Sequence, residues 1–148
     1  MDINDYLINL TGKDWPQLLR RWTPPLPADF SLWIVNRLGE LIVVDENEKV
    51  YFMQVGTGVL HSVADNRQQF AQRLDLMENA DVWLRISLVD ACSKANMRLA
   101  DHECYGFKVP PVLQGQYAID NLQPTLLDKH YSLLAHLVKQ EDIYWAED

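Results

Sequence analysis

No stretch of this chain is long and apolar enough to read as a membrane span; its apolar runs are short and interrupted. The opening residues, MDINDYLINL, lack a basic segment followed by an apolar run, which argues against a secretory leader. Cysteine is scarce, with only Cys92 and Cys104, and two thiols without a leader read as reduced groups in the cytoplasm. There is no Gly-Lys-Ser/Thr phosphate loop and no Gly-x-Ser-x-Gly elbow. The GTG at residues 56–58 lacks the third glycine and the following helix of a dinucleotide fingerprint, so it reads as a hairpin turn. Positive charge is also short: 13 Lys and Arg stand against 21 Asp and Glu, a net charge of −8. Phosphate contacts need clustered cations, and the one notable pair is Arg20 with Arg21, so direct nucleic-acid binding is not expected. An acidic surface does complement a basic protein partner, although the same balance serves solubility in many domains.

What is present suits one α+β domain, residues 1–148. The 148 residues can bury a real core, 48% of them are apolar, and five Trp and six Tyr imply a dense core or an aromatic contact surface. Ile3, Tyr6, Leu7 and Leu10 have the spacing of an amphipathic helix closed by Gly12. Asp14 and Pro16 start a second helix towards Trp22, and the prolines of TPPLPADF end it, giving a helical segment over 1–30. SLWIVNRLG, ELIVVD, VYFMQV and VLHSVA, parted by short turns, predict an antiparallel β-meander over 31–64 packed against several α-helices. Leu41 to Val44 is apolar on both faces and belongs in the interior of that sheet. Asp65 with Gln68 has capping-box spacing for a helix through Phe70, Leu74 and Met77. A second helix is expected over Asp81 to Lys94 and a last one over Leu126 to Val138, within a helical half (65–140) that holds one further strand, YAIDNL. An acidic tail, 141–148, carries Tyr144 and Trp145.

The stretch ECYGFKVPPVLQGQY, residues 103–117, has the prolines and glycines of a loop and the side chains of a core. His102 and Cys104 within it form a single pair, whereas a metal site needs three or four ligands, and Cys92, His61, His130 and His136 are scattered. A cysteine nucleophile needs a histidine and a group to orient it, and nothing in the sequence assembles them. His130 and His136, six apart on the last helix, face different ways, one towards the core edge and one towards solvent. No catalytic residue, cofactor or metal ligand is assigned on these patterns, which favours a binding protein over an enzyme.

Two segments carry a family resemblance. LGELIVVDENEKVYFMQVGTGVLHSVADNRQQF has the strand, turn, strand, Thr-Gly turn, strand and helix order, and CYGFKVPPVLQGQYAIDNLQPTLLDKHYSLL has the Cys-Tyr-Gly, Pro-Pro and helical-His order. Together they resemble the C-terminal domain of type VI secretion immunity proteins that guard against DNase effectors, the Tdi-type family, over about Leu32 to Lys139. Gln114–Gly115 stands where the family has a glycine pair, and only about thirty residues precede the sheet where known members carry a longer, GAD-like half. The resemblance implies a cytosolic immunity protein that binds a cognate bacterial toxin, a nuclease, by protein–protein contact, with no cofactor, metal or membrane. Expected contacts are the acidic turn Asp45, Glu46 and Glu48, the apolar stretch Tyr105, Phe107 and Val109, and Tyr144 and Trp145, because Tyr and Trp are enriched at interface hot spots. Two alternatives stay open: a ligand-binding or catalytic crevice near Cys104, His102 and His130, and a non-catalytic subunit of a larger complex.

Overall fold

The computed structural model describes residues 2–141. Its centre is a four-stranded antiparallel sheet in sequence order: β1 (Phe30–Val35), β2 (Leu41–Asp45), β3 (Val50–Gln54) and β4 (Val59–Ala64). The period of two decides which residue faces where. Leu41, Val43 and Met53 point into one apolar cluster, while Ile42, Val44, Val50 and Phe52 point into a second on the opposite face. β2 is an inner strand covered on both sides, and all four of Leu41 to Val44 are buried. Helices therefore cover both faces of the sheet.

The second cluster lies under α2 (Arg67–Leu74) and α3 (Met77–Leu84), which supply Phe70 and Trp83, their rings stacked at 4.8 Å. A register shift between Leu32 and Ile34 in β1 turns Trp33 towards the same cluster, 5.3 Å from Phe70. The first and larger cluster lies under α1 (Trp15–Leu18), α4 (Ile86–Lys94), a two-stranded sheet of β5 (Glu103–Phe107) and β6 (Leu122–Leu126), and α5 (Leu127–Glu141). In α5 the spacing of Leu127, Tyr131, Leu134 and Val138 places all four in the core, as its sequence predicts. His130 is buried and His136 exposed, as their separation implies.

Several boundaries differ from the expectation, each for a local reason. Ile3–Tyr6 is one 3-10 turn, and the chain then runs extended, because the Ile8 amide donates to the Val35 carbonyl and Leu7 bridges Asn36. β1 stops at Val35, ahead of Gly39, since the Asn36 side chain accepts from the amides of Leu38 and Glu40 and closes a turn. α1 does start at Asp14, whose carboxylate accepts from the Gln17 amide, but it lasts only to Leu18. α2 is capped by Asn66, one residue beyond Asp65, and the side chain of Gln69, not Gln68, returns to the Asp65 amide. That helix ends before Met77. The helix expected over Asp81 to Lys94 is two, because Arg85 adopts a left-handed backbone (φ 53°) between α3 and α4. The last strand is Leu122–Leu126, which takes only Leu122 of the expected YAIDNL because Ile119–Asn121 is a 3-10 turn, and it has a partner, β5, so the second half holds two further strands. The expected loop at 103–117 thus begins as a strand. Cys104, Tyr105, Gly106 and Phe107 are all buried, so it is apolar because both of its faces are covered. Gly106 is required there: a Cβ would run into the Thr125 side chain and approach His130 Nδ1 at 3.3 Å.

Candidate functional site

The acidic turn between β2 and β3 separates its three carboxylates into different roles. Asp45 Oδ1 accepts from the amides of Asn47 (2.8 Å) and Lys49 (3.0 Å), and Oδ2 accepts from the Tyr51 hydroxyl (3.2 Å), so this side chain folds the turn. Partial burial pushes its pKa up, but the Lys49 and Asn47 amides outweigh that and hold it below the usual carboxylate value. Glu48, at φ 68°, is exposed and pairs with Arg67 at 3.0 Å. Glu46 is exposed and has no ion-pair partner among the described residues.

Beside this turn lies a groove of about 610 Å³, bounded by α1, the proline-rich segment that follows it, the start of β1 and the end of β2. Trp15, Phe30 and Leu32 form its half-buried apolar wall, and Asp29, Asp45 and Glu46 supply carboxylates. The Trp15 indole is fixed by donating to the Leu10 carbonyl (2.9 Å) and by an edge contact with Tyr131 at 6.4 Å. Arg20, the cation in the lining, is held 3.5 Å from Asp128 and donates to the Gln17 carbonyl at 2.6 Å.

The other expected contacts scatter. Tyr105 and Phe107 are 5% and 8% exposed, so both rings belong to this chain's own core and not to its surface. Tyr105 donates its hydroxyl to the Met97 carbonyl (2.6 Å), and Phe107 packs edge-on to Tyr117 and tilted to His130. Val109, just beyond β5, is exposed. Tyr144 and Trp145 lie outside the described residues.

His102, Cys104 and His130 do not make a reactive set. Cys104 is fully buried, and burial first, with Glu103 adding to it, raises its thiol far above the ordinary value. His102 is exposed and lies 3.7 Å from Asp101. His130 is buried with Nε2 3.0 Å from the Leu38 carbonyl, which makes that nitrogen the donor; burial pushes its pKa down to about 4 against the raising effect of that bond. Among the described residues, no group of three His, Cys, Asp or Glu is placed to hold a metal ion, and no helix is long and apolar enough to cross a membrane.

Sequence reasoning missed one polar cluster inside the fold. Glu40, 1% exposed, accepts from Arg85 Nε (2.7 Å) and Nη2 (2.9 Å) and from Asn36 Nδ2 (2.9 Å). The Arg85 guanidinium also lies 4.2 Å from the centre of the Tyr117 ring. Burial works against the Arg85 charge, and the hydrogen bonds it donates to Glu40 outweigh that, so its pKa is raised. The available signal was a lone charge in each of two apolar contexts, Glu40 at the head of LIVV and Arg85 between Leu84 and Ile86. This cluster ties the turn after β1 to the α3–α4 junction.

A family model described as T6SS immunity protein, C-terminal domain of the Tdi1 type, matches residues 64–138, from the end of β4 through nearly all of α5. No curated protein matches the chain.

Proposed function

The chain belongs to the T6SS immunity protein Tdi1 C-terminal family, and on that premise we propose that it binds and neutralises a cognate effector nuclease in the cytoplasm. An immunity protein implies an effector as its partner. The family match is the observation that carries the reading. The net charge of −8 supports a basic partner, because a surface that holds phosphates is cationic and an acidic inhibitor gains both steering and complementarity on it. Inhibition is by contact, a reading supported by the burial of Cys104, which leaves that thiol protonated at neutral pH. Asp45, Glu46, Glu48 and Val109 are the expected contact residues that the fold leaves at least partly exposed.

The test is co-expression with each candidate effector encoded beside this gene. The chain restores growth to cells producing its cognate effector, and the two proteins co-purify. Growth arrest unchanged by co-expression, together with no co-purification, defeats the reading. Hydrolysis of DNA by the purified effector, stopped by a stoichiometric amount of this chain, then separates a nuclease from an effector of another class.

A further inference from the structure

We propose that the groove between α1 and the start of β1 receives a lysine or arginine of the effector. The aliphatic stem of that side chain lies along Trp15 and Phe30, and its charge meets Asp29 and Glu46. The proposal rests on the effector-binding reading and adds to it a surface and the chemistry that surface selects.

Three carboxylates and one cation line the groove, and the cation, Arg20, is already committed to Asp128. Asp45 is occupied by its own turn. Among the described residues, Asp29 and Glu46 have no ion-pair partner, so the groove carries two exposed, uncompensated negative charges beside an apolar wall. An apolar or acidic occupant would take water from those carboxylates and return nothing, and a neutral donor would leave their charge uncompensated. A long cationic side chain fits both halves, because its stem is apolar and its head is charged, and arginine adds a planar group that pairs with carboxylates and stacks on aromatic rings. The wall is rigid, since the Trp15 ring is pinned by the Leu10 carbonyl and Tyr131, so little side-chain freedom is lost on binding. All of the lining falls within residues 15–46, outside the residues 64–138 that match the family model. The groove therefore belongs to the part of the chain in which recognition of its own effector can differ from that of other family members.

The test measures association with the purified effector domain at low and high salt. Three variants leave the core intact: Asp29→Asn with Glu46→Gln, Ala28→Arg, and, on a distant exposed apolar corner, Met77→Ser. Unchanged melting temperatures establish that each is folded. The double neutralisation weakens binding about tenfold at low salt, mainly through the association rate, and the loss shrinks as salt rises. Ala28→Arg, which places a cation of the chain's own at the groove, also weakens binding, and Met77→Ser leaves it unchanged. The proposal is overturned if both groove variants bind within about twofold of the unmodified chain, or if Met77→Ser carries the loss instead. Either result leaves the effector-binding reading standing. An unmodified chain that does not bind its adjoining effector overturns that reading and the groove with it.

Discussion

Replacing Arg85 with alanine leaves the carboxylate of Glu40 buried without its cation. Glu40 is 1% exposed, and Arg85 supplies two of the three hydrogen bonds it accepts; Asn36 alone remains. Removing one partner of a buried pair costs about 3–5 kcal/mol, because the remaining charge keeps its desolvation penalty and loses its compensation. The left-handed backbone at φ 53° contributes little to the difference, since alanine is strained there much as arginine is. Losing the contact with the Tyr117 ring adds to the cost. Against a typical total stability of about 5–15 kcal/mol, Arg85→Ala takes a large share. At about 2–4 °C per kcal/mol for a chain of this size, melting falls by roughly 10 °C. Urea unfolding followed by circular dichroism measures the difference. The double variant Glu40→Met with Arg85→Met recovers most of the loss, because no unpaired charge remains and Asn36 Nδ2 keeps its bond to the Trp83 carbonyl at 3.0 Å. A loss below about 1 kcal/mol for Arg85→Ala would refute the reasoning, since that is the range of an exposed pair. So would a double variant as unstable as the single one.

Two further outcomes are expected. His130 is held neutral in the fold at a pKa of about 4 and regains its ordinary value near 6.5 on unfolding, so the unfolded chain binds the extra proton between those values. The fold accordingly loses up to about 3 kcal/mol as pH falls from 6.5 to 4. His130→Gln, which still offers a donor to the Leu38 carbonyl, flattens that part of the stability profile in urea titrations at stepped pH; an unchanged slope would rule His130 out as its source. Cys92 and Cys104 are both fully buried with raised thiol pKa values, so neither reacts with an aromatic disulfide reagent in the native protein and both react in denaturant. Prompt labelling of Cys104 in the folded chain would revive a reactive crevice there.

How far the sequence could be read depended on whether a feature was local. The meander was legible because apolar strands alternated with short polar turns, and α5 because its apolar residues recur at helical spacing. Asp14 was legible as a cap for the same reason: its partner, the Gln17 amide, is three residues away. The α3–α4 break was not, since an arginine in a left-handed conformation carries no compositional mark. β5 was hidden by its glycine and by the prolines beyond it, and its strand character depends on pairing with β6 across some twenty residues of chain. The candidate site divided along the same line. The acidic turn could be found as a run of like charge between two strands, but which of its carboxylates is free depends on Tyr51, Lys49 and Arg67. The groove needed α1 and β1 to be brought side by side, and no spacing in the sequence records that.

By itself the sequence determined the fold class, the order of most elements, the acidic charge and the family resemblance, since periodicity, turn chemistry, composition and motif order all act along the chain. The tertiary structure decided what is inside. Tyr105 and Phe107 look in the sequence like aromatic residues on a loop, and the pairing of β5 with β6 beneath α5 places them in the core. It also decided what is available: Asp45 is consumed by its turn and Glu48 by Arg67, while Asp29 and Glu46 meet at one groove with no ion-pair partner among the described residues. The physical reason is common to both. Burial and charge compensation are set by neighbours distant in the chain, and only the folded chain chooses those neighbours.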